Sequence, residues 1–304
     1  MRYTRRKKPY SLLVFEALKK RMKLEKKDYY RFLNLLKGYE GEYSFDLVID
    51  RLTGCIILKD LSLTMNGVDF QIDTLIITPE AVILYEVKNY EGEYIYHEEF
   101  LYKVDSKIEV INPLLRLTRS KLLLKQLLKQ LHFGNLPVRG IVVFVNPNFT
   151  LYEAPQLETL IMPTNIESHV EQIQKELGDL PKSCTVLADQ LSNLNHPENH
   201  YHDLPQYEYD TLQKGMTCMQ CESFVKVIEQ RSRSMTCKKC GCKELVGKAI
   251  IRHAQELQLL FPERKLTISA VQDWCGGLPS SKRIQTEFRR TYQSNSTRRW
   301  RYYT

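Results

Sequence analysis

Two apolar runs within residues 69–92 set the pattern around which the rest of the chain is interpreted. The runs alternate apolar with other residues and are separated by Thr78-Pro79-Glu80. Alternation at a period of two is typical of β-strands, and a short break that contains proline is typical of a turn. This stretch is therefore predicted to be a β-hairpin.

Neighbouring patterns predict elements that lead into this hairpin. A strand at residues 55–63 precedes it, and Asn66-Gly67 between them is a strong signal for a two-residue turn. Apolar residues at helical spacing predict a helix over residues 28–52. Gly38 and Gly41 interrupt this helix, each at a cost of ~1 kcal/mol relative to alanine. We infer from that cost that the helix backbone approaches another element closely.

The chain beyond the hairpin continues to alternate between strands and helices. The predicted elements are a second hairpin over residues 94–110 with its bend at Asp105-Ser106, a helix from Asn112-Pro113 to residue 131, strands at 138–145 and 157–162, and a helix at 165–177. The run at 138–145 is continuously apolar, as expected for a strand that is buried on both faces. The order predicts the α/β class, with a mixed sheet flanked by helices.

Charge is unevenly distributed along the 304 residues. The net charge is +8, but residues 1–27 carry an excess of nine positive charges and residues 279–304 an excess of six, which leaves −7 for residues 28–278. Basic ends around an acidic body suit a polyanionic partner, although solvated ends that aid solubility would give the same pattern. No run reaches the ~18 apolar residues of a transmembrane helix, and the N-terminus is a poor signal peptide. We therefore expect a cytoplasmic protein with reduced thiols.

Three charged residues lie on the predicted hairpin. Asp73 is in its first strand, and Glu86 and Lys88 are near the end of its second. Residues two apart on a strand share a face, so Glu86 and Lys88 project together, and a hairpin can bring Asp73 beside them. Two carboxylates can bind Mg²⁺ for phosphodiester cleavage, while a lysine orients the attacking water and stabilises the developing charge. The alternative is an ion pair at the edge of a strand.

The spacing of these residues resembles that of a nuclease superfamily. Asp73, followed after twelve residues by Glu86-x-Lys88, resembles the PD-(D/E)xK nucleases, and the sequences QID at 71–73 and YEVKNYEG at 85–92 are similar to the nuclease-related domain (NERD) family. The resemblance extends over residues 38–173. It implies a restriction-endonuclease-like core, DNA in preference to RNA as the partner, and Mg²⁺ or Mn²⁺ held by Asp73 and Glu86.

The same resemblance implies roles for further residues. The GxxGE segment at residues 38–42 resembles the opening motif of the family, which places Glu42 beside the metal. Gln71 would orient a water or a phosphate, and Lys88 would position or activate the attacking water. The alternatives are an exposed glutamate on a flexible helix start and a glutamine that satisfies a backbone group. Arg116 stands about where the family pattern has a glutamine, which leaves the role of its helix open.

Four cysteines form the strongest formal motif in the chain. They occur as two CxxC pairs separated by fifteen residues, namely Cys218, Cys221, Cys237 and Cys240. Two such pairs supply the tetrahedral thiolate set of a structural Zn²⁺ site, and the segments between them predict the short strands of a zinc ribbon. Cys242 is an alternative to Cys240 as the fourth ligand.

The C-terminal region is predicted to be helical and basic. Helices are expected at residues 248–261, 267–274 and 280–292, with Gly276-Gly277 in the connection between the last two. Helix, glycine-containing turn and basic helix is the outline of a helix-turn-helix, and an ordinary helical hairpin has the same outline. The tail at 298–303 is basic and aromatic, which suits contacts with phosphates and bases.

These patterns together predict a metal-dependent nuclease with accessory modules. The expected order is a basic segment (1–27), a NERD-like domain (28–180), a linker (181–212), a zinc ribbon (213–246) and a basic helical module (247–304). The expected reaction is Mg²⁺-dependent hydrolysis of DNA. A nucleic-acid-binding or scaffolding protein on a nuclease-like fold, with little turnover, is the alternative.

Overall fold

The computed structural model describes residues 6–196, 204–227, 232–295 and 302–304. The chain divides into two compact units. Unit 1 comprises Met1–Lys8 and Asn34–Asn199, and unit 2 comprises Pro9–Leu33 and His200–Thr304. No helix in the described part of the chain is long and apolar enough to cross a membrane.

The first two thirds of the chain contain groups of strands separated by helices. The helices are α1 (Tyr10–Arg21), α2 (Lys26–Ile49), α3 (Pro113–Gln130), α4 (Ile166–Glu176), α5 (Lys182–Leu194), α6 (Val246–Leu260), α7 (Ile268–Trp274) and α8 (Ser281–Thr291). The strands of unit 1 are β1 (Ile56–Met65), β2 (Val68–Ile77), β3 (Val82–Lys88), β4 (Gly92–His97), β5 (Phe100–Lys103), β6 (Glu109–Val110), β7 (Val138–Phe144), β8 (Phe149–Tyr152) and β9 (Leu160–Ile161). Those of unit 2 are β10 (Met216–Thr217), β11 (Phe224–Val225), β12 (Ser234–Thr236), β13 (Lys243–Leu245), β14 (Ser294–Asn295) and β15 (Tyr302–Tyr303).

The core of unit 1 is a mixed five-stranded sheet in the order β1-β2-β3-β7-β9. β1, β2 and β3 are antiparallel, and β7 and β9 continue the sheet in parallel with β3. The tight turn between β1 and β2 is at Asn66-Gly67, where both residues have positive φ. The mixed sheet flanked by helices confirms the predicted fold class.

Helices cover both faces of this sheet. On one face, Phe45 and Ile49 of α2 and Val170 of α4 share a cluster with sheet residues such as Ile76 and Tyr85. On the other, leucines of α3 and α5, including Leu124 and Leu187, pack against β1, β2 and β3. Because both faces are buried, the strands are almost continuously apolar, and a charged residue on them needs a partner.

A second sheet of unit 1 has the order β6-β5-β4-β8. The predicted bend at Asp105-Ser106 lies in the turn between β5 and β6. A second turn, which the sequence did not predict, joins β4 and β5 at Glu98-Glu99, with φ of 47° and 69°. Left-handed backbone in a hairpin turn normally marks Gly, Asn or Asp, so two glutamates give no recognisable turn signal. The four-residue strand β8 was also not predicted.

Part of the predicted linker is helical. In α5, Cys184, Leu187, Ala188 and Leu191 are buried in the core of unit 1. Their spacing of three and four residues is that of an amphipathic helix. Pro, Asn and His residues around it obscured this period in the sequence. His200 and His202, which fall in the same predicted linker, lie outside the described residues.

Unit 2 is organised around α1 and α6. Val14 and Leu18 of α1 share a core with Ile250 and Leu257 of α6. Arg21 at the end of α1 is buried, and its Nε lies 2.5 Å from Oε1 of Glu256. Two small hairpins, β10–β11 and β12–β13, carry the cysteine pairs.

Candidate active site

The end of the β2–β3 hairpin positions the two predicted metal ligands. The β-ladder between these strands ends at the pair Thr74–Tyr85, and Asp73 and Glu86 are the next residues on each strand. The Val87 amide donates a hydrogen bond of 2.7 Å to Oδ2 of Asp73, which fixes this carboxylate at the end of the ladder. Both side chains are buried, with Asp73 5% and Glu86 2% exposed. The structure therefore brings the two carboxylates together.

Two cations approach Glu86 from different elements. Nζ of Lys88 lies 2.7 Å from Oε1, and Nε of Arg116 on α3 lies 3.5 Å from Oε2. Despite the ion pair with Lys88, Oε1 is buried and lacks a hydrogen-bond partner of adequate geometry among the described residues. A buried carboxylate oxygen in this state has a lone pair available for a metal or for a proton donor.

The ammonium of Lys88 is held in its charged form. Burial lowers its pKa, but the carboxylate of Glu86 and, further away, that of Asp73 outweigh burial and raise it above the usual value. A charged ammonium cannot accept a proton. Lys88 can therefore orient a water or stabilise negative charge, and it is not a general base while Glu86 and Asp73 keep their charges.

Two carboxyl groups of the site, those of Asp73 and Glu42, have raised pKa values. Burial raises the pKa of Asp73, and the nearby charge of Glu86 raises it further. Burial and the charge of Asp73 likewise raise the pKa of Glu42. Repulsion among ionised carboxylates costs free energy that a divalent cation between them would offset. Asp73 and Glu86, two buried carboxylates at the end of one hairpin, fit Mg²⁺ or Mn²⁺, which prefer oxygen ligands.

Glu42 reaches the site because α2 passes unusually close to the end of β3. A Cβ atom on Gly41 would lie 2.5 Å from Cβ of Asn89, so only glycine fits there. In this position Asn89 donates a hydrogen bond of 2.8 Å from its amide to the carbonyl of Lys37. A Cβ atom on Gly38 would have nothing within 4 Å. The predicted close approach of this helix is confirmed for Gly41 and not for Gly38.

Arg6 is the counterion of Glu42, and sequence reasoning did not find it. Nη1 of Arg6 lies 2.5 Å from Oε2 of Glu42, and its Nε donates to Asp46 at 2.9 Å. Its Nη2 also donates to the carbonyl oxygen of Asp73 at 2.7 Å. One signal was present, since Asp46 lies on the apolar face of α2 next to Phe45 and is 3% exposed. A buried carboxylate requires a partner, but nothing in the local sequence points to a residue forty positions upstream.

Gln71 is oriented by two side chains that were not predicted to take part in the site. Its amide nitrogen donates to Oδ1 of Asp60 at 2.9 Å, and its amide oxygen accepts from Nη2 of Arg116 at 3.3 Å. Asp60 lies within β1 with φ of 53°, an uncommon conformation for a non-glycine residue in a strand. Gln71 is thus a side-chain bridge in this structure, and none of its hydrogen bonds here satisfies a backbone group.

A cavity of about 520 Å³ opens beside these residues. It is lined by Asn34, Lys37, Gly38, Glu42, Gln71, Asp73, Val87, Lys88, Asn89, Tyr90, Glu91, Tyr94 and Arg116. Four of the five predicted catalytic residues line it, and the fifth, Glu86, is buried and contacts Lys88 of the cavity wall. Cationic, carboxylate and aromatic side chains around one cavity can bind a phosphodiester and hold a metal ion against it.

The predicted zinc ligands form a separate cluster in unit 2. The sulfur atoms of Cys218, Cys221, Cys237 and Cys240 all lie within 4.8 Å of one another. Sγ of Cys218 is 3.6 Å from that of Cys240, so Cys240, not Cys242, completes the set. The Ser223 hydroxyl beside Cys237 lowers the pKa of that thiol to about 6, which favours the thiolate that metals bind. Four cysteines on two hairpin turns are the donor set of a structural metal such as zinc, and the predicted zinc ribbon is confirmed to this extent.

Comparison with known proteins adds one result. Residues 37–145 match the family described as the nuclease-related domain. This range begins just before Gly38, ends at the last residue of the strand predicted at 138–145, and contains Glu42, Gln71, Asp73, Glu86 and Lys88. No curated protein and no solved structure matches the chain.

Proposed function

We propose that this chain, which carries a nuclease-related domain at residues 37–145, is a metal-dependent nuclease that hydrolyses phosphodiester bonds in DNA. The observation that carries the proposal is the pair of buried carboxylates, Asp73 and Glu86, at the end of one hairpin beside a cavity that Asp73 and Lys88 line. Two buried carboxylates this close repel each other, and a divalent cation would offset that repulsion.

In the proposed site, Asp73 and Glu86 would hold the metal, with Glu42 nearby. Mg²⁺ or Mn²⁺ bound there would polarise the scissile phosphate and lower the pKa of a bound water. Asp73 is fixed for this role by the Val87 amide, and Glu42 is fixed by Arg6. These contacts come from the backbone and from a buried guanidinium, so the carboxylates are preorganised before any ligand arrives.

Lys88 and Gln71 are assigned to the attacking water and the phosphate. The ammonium of Lys88 keeps its charge and lies at the edge of the cavity, where it can hold a water and stabilise negative charge on the phosphoryl oxygens. The amide of Gln71 is oriented by Asp60 and Arg116, so it presents a fixed donor and acceptor to the cavity. In the proposed reaction, water oxygen attacks phosphorus, and the bond from phosphorus to the leaving oxygen breaks. The attacking water releases a proton to solvent, and the leaving oxygen takes one up from solvent.

One observation favours a second function, a nucleic-acid-binding protein that does not cleave. Lys88 and Arg116 together already place two positive charges beside Glu86. Because these charges already neutralise the Glu86 carboxylate, binding a metal there would release less free energy. The exposed part of Arg116 can still bind a phosphate. DNA binding without cleavage is the outcome that would support this second function.

Cleavage assays with matched variants separate the two functions. Plasmid, linear and single-stranded DNA are incubated with the purified chain and Mg²⁺ or Mn²⁺, beside Asp73→Asn and a control, Asp69→Asn. Asp69 lies on the same strand but its side chain is 76% exposed. We expect cleavage by the wild type and by the Asp69 variant, and none by the Asp73 variant. Equal cleavage by all three would indicate a contaminating nuclease, and binding without cleavage under either metal would leave the second function.

A further inference from the structure

The last part of unit 2 has a topology that the helix-turn-helix outline alone does not reveal. After α6, Leu266 forms a bridge with Tyr303 of β15, and β15 pairs with β14. The order along the chain is therefore α6, the bridge residue Leu266, α7, α8, β14 and β15. In this order, three helices are completed by a small antiparallel sheet, which is the arrangement of a winged helix.

The connection between α7 and α8 is built for a tight turn. Gly276 and Gly277 have φ of 66° and 74°, a left-handed conformation that favours glycine at both positions. Trp274 at the end of α7 and Phe288 on α8 are fully buried in the same core, so the two helices are held by packing as well as by the turn. A short helix, a glycine turn and a packed second helix are the parts of a DNA-reading helix-turn-helix.

The solvent face of α8 is cationic along its length. Ile284 and Phe288 anchor one face in the core. The exposed residues include Lys282, Arg289 and Arg290, and Thr286 lies between them on the same face. The one acidic residue of the helix, Glu287, is mostly buried and lies 3.6 Å from Arg290. Three cations thus face solvent on a helix of eleven residues.

We propose that α8 binds duplex DNA in the major groove, as a site separate from the cavity of unit 1. Its positive face complements the phosphates that flank the groove, and a helix with its side chains, ~10–12 Å across, fits a major groove of ~12 Å. Lys282, Arg289 and Arg290 contact phosphates or guanine edges. Gln285 and Thr286, on adjacent positions of the helix, face the bases. Residues 296–301, between β14 and β15, lie outside the described residues and form no part of this site.

The test compares two triple variants of the full chain that lose the same charge. The first is Lys282→Ala/Arg289→Ala/Arg290→Ala. The control is Lys125→Ala/Lys129→Ala/Lys175→Ala, which removes exposed lysines from α3 and α4 of unit 1. Binding to a fluorescent duplex and to one of its single strands is measured in EDTA, so that cleavage plays no part. Thermal melting of each variant verifies that it is folded.

We expect the α8 variant to bind the duplex at least ten-fold more weakly than the control variant. The slope of log affinity against log salt should fall in magnitude by about 2–3, because each phosphate contact contributes about 0.9. Methylation of guanine N7 in the major groove should weaken wild-type binding, whereas methylation of adenine N3 in the minor groove should not. Equal losses in the two triple variants, or stronger loss on the single strand than on the duplex, would overturn the proposal. Neither outcome depends on whether the cavity of unit 1 cleaves DNA.

Discussion

Replacing Gly41 by alanine tests whether the close approach of α2 positions the proposed active site. The new Cβ would lie 2.5 Å from Cβ of Asn89, whereas ordinary contacts begin near 3.4 Å, so the two elements must separate by about 0.9 Å. Overpacking of this kind costs ~1–3 kcal/mol, and the better helix propensity of alanine returns ~1 kcal/mol. The net loss of stability should therefore be at most ~2 kcal/mol.

The effect on catalysis should be larger than the effect on stability. Glu42 follows Gly41 directly, and a displacement of ~1 Å in a catalytic group can reduce turnover by ~10²-fold. We expect a small fall in melting temperature together with a fall in kcat of that order, measured on a DNA substrate at saturating Mg²⁺. Affinity for duplex DNA in EDTA should change little, because the variant leaves α8 intact.

Gly38→Ala is the matched control. It lies one turn earlier on α2, and its new Cβ has nothing within 4 Å. This variant should be as stable as the wild type or up to ~1 kcal/mol more stable, and its turnover should fall much less than that of Gly41→Ala, although Gly38 also lines the cavity. If the two alanine variants show the same stability and the same turnover, the contact with Asn89 does not position Glu42 and the reasoning is wrong.

Four further predictions concern other parts of the chain. Arg6→Gln should lower the free energy of unfolding of unit 1 by ~3 kcal/mol in urea denaturation, whereas Arg51→Gln, which removes an exposed ion pair, should cost under ~1 kcal/mol. Lys88→Met should abolish cleavage while Mn²⁺ binding, followed by electron paramagnetic resonance, persists; retained cleavage would remove its proposed role. Cys221→Ser should lower the metal content found by elemental analysis and make residues 210–245 sensitive to protease, while DNA cleavage is retained. Full metal occupancy in this variant would refute the four-cysteine assignment. Burial lowers the pKa of His253 to about 3, so unit 2 should lose up to ~5 kcal/mol of stability as pH falls from about 6.5 towards 3. Unfolding followed by fluorescence should show a much flatter pH dependence in His253→Gln than in the wild type. An equal pH dependence in both proteins would contradict this assignment.

The local features of the candidate site could be predicted from the sequence because they are encoded locally. A period of two marked β2 and β3, and a hairpin has few ways to place Asp73 relative to Glu86. Gly41 was informative because glycine is costly within a helix and therefore signals a steric requirement. The two CxxC pairs were informative because two cysteines spaced in this way on one turn can bind the same ion, and two such turns supply four ligands.

Features that depend on long-range contacts could not be predicted in the same way. Arg6 is separated from Glu42 by thirty-six positions. Its neighbours in sequence are also basic, so the sequence does not indicate which of them pairs with a buried carboxylate. The helix α5 was hidden because the polar and proline-containing residues around it suggested a linker. The turn at Glu98-Glu99 adopts a left-handed backbone without the residues that usually allow it, so tertiary contacts outweigh local preference there.

The interleaving of the two units along the chain has a consequence for the order of folding during synthesis. Residues Pro9–Leu33 belong to unit 2, but the rest of that unit, His200–Thr304, is synthesised only after the whole of Asn34–Asn199. Unit 1 can therefore fold on the ribosome while the apolar face of α1, including Val14 and Leu18, still lacks the α6 surface that buries it. The entropy of closing so long a loop grows only slowly with its length, so the delay itself costs little free energy. The delay instead leaves the apolar face of α1 exposed to solvent. Until the final third of the chain has been translated, chaperones can bind this face and nascent chains can aggregate through it.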